Sequence, residues 1–364
     1  MATAEARGRV GRALLAEDAR WAVDAALSTR NSGAGSAVAL LLTHHFVRIA
    51  YEGALAIQSP DPNVGRPQLA TLLDDEYPAL TARARHVSKV LDDNRKTPDE
   101  VLSELARVHE HNRHVFRTDS HSIFRRLRSD LGLFLIDDRV VGASIPIAYR
   151  LGLDPGNSNL MSGESLRGVT REWGSTIAVL ASADFQPPIE NGTHYIDDKR
   201  LRTQDKVASR WLSDRFDRGF SLEAKLLLLM IEGDLNCSRS FLPMVEQGHE
   251  MTVFRARVVT LYHSLTALNR LIDSHGLQAS HHVQRVRNLL ADPVTQGLLS
   301  KNGKQVRNRC VHYELKDARL VPNAALPMFG LVEAVYPGAT WAGYDRDVRL
   351  VTDRLAELLW AWKP

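Results

Sequence analysis

The stretch Phe254-Arg255-Ala256-Arg257-Val258-Val259-Thr260-Leu261-Tyr262-His263-Ser264-Leu265-Thr266-Ala267-Leu268-Asn269-Arg270-Leu271-Ile272 decides the fold class. Phe254, Val258, Leu261, Leu265, Leu268 and Ile272 step by four and three, the spacing of one helix face, and Gly276 follows as a stop. Helical periodicity of this kind dominates on either side. Upstream, Ser221 is a good cap for residues 222–235, where Leu226 to Leu229 stand in a row and require burial nearly all round. Downstream, residues 282–290 form a helix broken at Asp292-Pro293. Another begins near Asn302 or Lys304, and Val348, Val351, Leu355, Leu358 and Trp362 mark a last one.

Nearer the start, residues 14–28 and 37–57 read as helices separated by a Gly/Ser turn, and residues 77–91 as a third. Thr97-Pro98-Asp99-Glu100 opens a fourth, with a cap, a proline at the first position and acids in the first turn. The pattern weakens between Gly132 and Arg200. There, residues 133–136 and 139–141 flank Asp137-Asp138, which is either a short hairpin or a break in a helix. The expectation is an all-α protein: a helical N-terminal region, residues 1–215, whose helices before Gly132 bury their own core, and a helical bundle, residues 216–364.

Composition narrows the function classes. With 364 residues, 44% hydrophobic and 24% charged, the chain has ordinary globular proportions. A net charge of +3 gives no global basic field, so any nucleic-acid site must be local. Two cysteines, Cys237 and Cys310, cannot build a disulfide framework, which points to a reducing cytoplasm. The N-terminus lacks the apolar segment of a signal peptide, and no apolar run is long enough to span a bilayer. No Walker-type phosphate loop occurs, and Gly174-Ser175 lacks the Asp-x-Asp pair of a nucleotidyltransferase. The histidines between His109 and His114 lack zinc-helix spacing and read as a solvated face, so no metal and no cofactor is expected. Five arginines between Arg113 and Arg128, with Phe116 and Phe124, form either a phosphate-binding strip or a balanced charged face.

Chemistry concentrates in Val306-Arg307-Asn308-Arg309-Cys310-Val311-His312-Tyr313-Glu314-Leu315. On a continuous helix Asn308 and His312 share a face, and Arg307 lies about 140° round from His312. An imidazole beside a fixed cation suits metal-free cleavage of a phosphodiester. In this reading His312 moves the proton of the attacking hydroxyl, Arg307 stabilises the developing charge, and Asn308 orients His312 or holds a phosphate. Tyr313, Lys304 and Arg309 are candidate substrate contacts.

Arg307-Asn308-x-x-x-His312-Tyr313 resembles the signature of the HEPN superfamily, an arginine, four to six residues, then histidine, with Asn, Asp or His often following the arginine. The likeness covers residues 216–364. It implies a helical bundle acting as a metal-independent endoribonuclease on RNA. It further implies a homodimer whose motifs face one another, a toxin–antitoxin or antiphage setting, and a possible regulatory partner protein. Members with degraded motifs serve instead as non-catalytic RNA- or protein-binding modules.

Overall fold

The computed structural model describes residues 4–29, 35–58, 78–92, 96–115, 129–152, 163–182, 198–274, 280–317 and 320–364. The chain is mainly α-helical. Thirteen α-helices occur among the described residues: α1 (Ala4–Thr29), α2 (Gly35–Gln58), α3 (Pro78–Val87), α4 (Pro98–Val115), α5 (Ser144–Arg150), α6 (Gly163–Ala181), α7 (Ala208–Ser213), α8 (Leu222–Asn236), α9 (Glu250–Ser274), α10 (His281–Leu290), α11 (Pro293–Leu299), α12 (Lys301–Val311) and α13 (Trp341–Trp360). Three strands accompany them: β1 (Leu131–Ile136), β2 (Arg139–Ala143) and β3 (Leu201–Lys206).

Capping residues set several helix starts. Thr97 and Glu100 form a reciprocal capping box at α4, with Thr97 N–H donating to Glu100 Oε2 at 2.7 Å and Glu100 N–H to Thr97 Oγ1 at 3.3 Å. Ser221, Ser280, Asp292, Ser300 and Thr340 accept first-turn N–H groups of α8, α10, α11, α12 and α13. The ambiguous stretch around Asp137-Asp138 is a hairpin. Both aspartates adopt left-handed backbone (φ 49° and 63°), the geometry of the two-residue turn that suits strand twist. β3 pairs antiparallel with β1, from Leu131 opposite Lys206 to Ile136 opposite Leu201, giving the order β2-β1-β3. Its sequence, Leu-Arg-Thr-Gln-Asp-Lys, has no apolar alternation because the strand is an exposed edge. The weakly patterned region also contains α5 and α6. The turn at residues 30–34, the prolines at 60 and 62, Gly276 and the stretch 116–128 lie outside the described residues.

The hydrophobic core passes across residue 216 without a break. α1 packs on α2, α6 and α9, α8 lies on β2 and against α4 and α13, and α12 packs on α9 and α11. Trp21 of α1 is fully buried and donates its indole N–H to Val245 O at 3.0 Å. Helices before Gly132 therefore share their core with the C-terminal helices, where the sequence suggested a core of their own.

The N-terminal helices also meet the end of α12 directly. A Cβ added at Gly11 would lie 2.0 Å from Tyr313 O, so α1 approaches that backbone as closely as glycine permits. Gly11→Ala is expected to force the two segments apart and lower stability by about 1–3 kcal/mol, measurable by urea unfolding.

Candidate functional site

Helix α12 begins at the Ser300 cap and runs to Val311, and it leaves helical geometry at His312 (φ −100°, ψ 140°). The His312 N–H still closes the last helical bond, to Asn308 O at 2.9 Å, but the residue is the C-cap and not part of a continuous helix. Extended backbone at this position aims the imidazole out of the helix end. Its side chain is 47% exposed and borders a groove of about 580 Å³. Leu55, Gln305, Asn308, Arg309 and Lys316 also border it.

The ring of His312 is fixed from behind. Nδ1 lies 2.8 Å from Glu52 Oε2 on α2, and Glu52 Oε1 accepts from Arg85 Nε on α3 at 2.8 Å. With Glu52 a carboxylate, Nδ1 carries the shared proton and Nε2 is the ring nitrogen left for the groove. Burial opposes a charge on Glu52, whose side chain is only 6% exposed. The hydrogen bond from His312 and the Arg85 guanidinium overcome that penalty and hold the carboxyl down at about 2.

Because the folded value lies below the usual 4.5, Glu52 stabilises the fold fully above about pH 4.5, and that contribution fades as pH falls toward about 2. The expected magnitude is on the order of 3 kcal/mol. Urea titrations between pH 5 and pH 2, compared with Glu52→Gln, should show the wild type losing more stability than the variant across this window.

Arg307 stands apart from the groove. Its guanidinium forms an ion pair with Asp92, donates to Asn308 Oδ1 at 2.7 Å and lies over the Tyr262 ring, 4.8 Å from the centroid. Burial pushes it down to about 10, which leaves it charged at neutral pH. Asn308 and His312 thus meet in the groove wall while Arg307 is held behind Asn308.

The three candidate contacts divide. Lys304 is exposed on α12, outside the groove lining. Arg309 borders the groove with its guanidinium committed to Leu331 O at 2.7 Å and Asp317 at 3.3 Å. Tyr313 is buried. Its hydroxyl donates to Asp18 Oδ2 at 2.6 Å, so it anchors the chain after α12 to α1.

Asp18 is the centre of this anchor. It accepts from Arg48 Nη2 at 2.8 Å and Thr252 Oγ1 at 2.9 Å, and lies 3.0 Å from Arg255 Nη1. Both arginines also donate to Cys310 O, which is a free carbonyl of the last turn of α12. The end of α12 is therefore clamped by two guanidiniums, and the position of His312 follows from the clamp. The thiol of Cys310 is pushed up to about 12 by burial and is no nucleophile.

Glu52, Arg85 and Asp18 carry no local motif. One signal was present: His44, Arg48 and Glu52 recur every four residues inside a largely apolar helix, a polar stripe that has to meet something. His109 is buried and within 3.1 Å of Asp130, where the sequence suggested a solvated face. Among the described residues no group of three or more His, Cys, Asp or Glu could hold a metal ion, and no helix is long and apolar enough to cross a membrane. No protein-family model, curated protein or solved structure matches this chain.

Proposed function

We propose that the protein is a metal-independent endoribonuclease of HEPN type, with His312 as the proton-transfer group. The observation that carries this reading is the Arg85–Glu52–His312 chain. A carboxylate fixes one ring nitrogen, and the other is left to a groove wide enough for a nucleotide. His312 takes the 2′-hydroxyl proton as that oxygen attacks the adjacent phosphorus. The P–O5′ bond breaks, and the products are a 2′,3′-cyclic phosphate and a 5′-hydroxyl, whose proton comes from water or a second acid. Asn308 contacts the phosphate from the same wall. A second copy of the chain, related by a two-fold axis, supplies that acid when the grooves face one another. A toxin, antiphage or stress-response role in the cytoplasm, with a regulatory partner, belongs to the same proposal and rests on the resemblance alone.

Arg307 favours a second reading, a non-catalytic RNA- or protein-binding module. Its guanidinium is engaged by Asp92 and does not border the groove. The two are separated by incubating purified protein and His312→Ala with total RNA in EDTA and analysing the ends. Cleavage by the wild type alone, leaving cyclic phosphate, supports the nuclease. Binding without cleavage by either protein supports the module, and 3′-hydroxyl ends or loss of activity in EDTA would overturn the mechanism.

A further inference from the structure

Behind the groove, between α2, α3, α5, α8 and α9, lies a small chamber of about 10 Å³, enough for one water-sized particle. His44, Arg48, Arg85, Arg150, Asp234 and His263 line it. Arg48, Arg85 and Arg150 are each more than nine-tenths buried. Each nevertheless has one nitrogen, Nε of Arg48, Nη2 of Arg85 and Nε of Arg150, with no acceptor among the described residues. A buried donor without an acceptor is destabilising, and more so when it is charged. All three arginines line one chamber, and their unmatched donors call for an acceptor.

His44 adds a fourth donor. Its Nδ1 lies 3.4 Å from Arg150 Nη1, and a guanidinium can only donate, so Nδ1 is the acceptor. Burial and the neighbouring His45 and Arg150 push His44 well below the usual imidazole range and keep the ring neutral. Its single proton is then on Nε2, which also lacks a partner. The carboxylate in the lining, Asp234, is already held by both Nη atoms of Arg150.

The charge balance points the same way. Arg85 pairs with Glu52 and Arg150 with Asp234, whereas Arg48 and Arg255 share Asp18. Among the described residues of this cluster, one guanidinium charge is in surplus. The neighbouring carboxyl Glu17 is pushed up to about 7 by burial and by Asp18, so it offsets that surplus only above neutrality. A water would accept from two of the donors and then need acceptors for its own hydrogens. An anion accepts from all of them and brings the missing charge.

We propose that this chamber binds one monatomic monovalent anion, a halide such as chloride. Through Arg85 the ion braces Glu52 and, with it, the ring of His312. The site stands whether or not the protein cleaves RNA.

Two measurements test it together. Thermal unfolding is followed at constant ionic strength as sodium gluconate is replaced by sodium bromide, for wild type and His44→Leu. Anomalous diffraction is collected from wild-type crystals grown in bromide. The expected result is a midpoint that rises by a few degrees with bromide in the wild type and less in the variant. An anomalous peak should lie among Arg48, Arg85, Arg150 and His44. Absence of a peak in the chamber overturns the proposal whatever the midpoints do, and leaves the chamber to water. A peak there without any bromide-dependent midpoint would mark an adventitious ion only and overturns the site as part of the fold.

Discussion

Asp18→Ala should lower the stability of the protein by about 3–5 kcal/mol, the largest effect expected from any single substitution discussed here. The carboxylate is completely buried, and it is the shared partner of Arg48, Arg255, Thr252 and Tyr313. Removing it takes from two core guanidiniums the carboxylate that both pair with, and leaving buried charges unpaired is more costly than the loss of their attraction alone. Tyr313→Phe removes a hydroxyl that donates to Asp18 and accepts from Arg48 and leaves the charges as they are, so a smaller loss of about 1–2 kcal/mol is expected. Denaturant midpoints for the two variants should differ accordingly. Equal effects would mean that Asp18 acts by packing and not as the counter-charge of the clamp.

On the proposed nuclease reading, His312→Ala should reduce the rate of RNA cleavage by roughly 10² to 10⁴ without lowering stability by a comparable measure. The side chain is half exposed, so little packing is lost with it. Glu52→Gln separates positioning from proton transfer. The amide can still hold the ring, but the carboxylate charge beside Nδ1 is gone. A fall in the single-turnover rate smaller than that of His312→Ala is expected. If Glu52 mattered only for folding, the rate per folded molecule would be unchanged and only the amount of active protein would fall. Single-turnover kinetics, with the folded fraction measured alongside, distinguish the two.

The positions of these residues show how local signals and distant contacts divided the work. Asn308 and His312 were legible as a pair because they are four residues apart, and the helix start at Ser300 follows from an ordinary cap. The placement of Arg307 was not legible. Its direction depends on Asp92, which is 215 positions away in the chain, and on the Tyr262 ring of α9. Nothing in ten residues of sequence could distinguish a guanidinium aimed at a groove from one drawn back by a carboxylate. The extended geometry of His312 was hidden for a similar reason. The helical period runs on through Tyr313, and the chain turns there because Tyr313 is pulled onto Asp18 while Arg48 and Arg255 both hold the Cys310 carbonyl.

What the sequence determined by itself was the mainly helical class, several helix starts and the buried faces. Each of these rests on interactions spanning four residues or fewer: the helical period, a cap, a turn residue. It also placed the imidazole and its amide neighbour in one short segment. Tertiary structure decided the rest. An edge strand such as β3 is specified by its partner β1 and not by its own polar residues. The hairpin at Asp137-Asp138 was one of two open alternatives until β1 had neighbours on both sides. The Arg85–Glu52–His312 chain joins α3, α2 and the residue that ends α12, with members up to 260 positions apart. Buried ion pairs of this kind form only where packing has already removed water and fixed both partners, so their energy is a property of the folded core and has no counterpart in any local stretch of the chain.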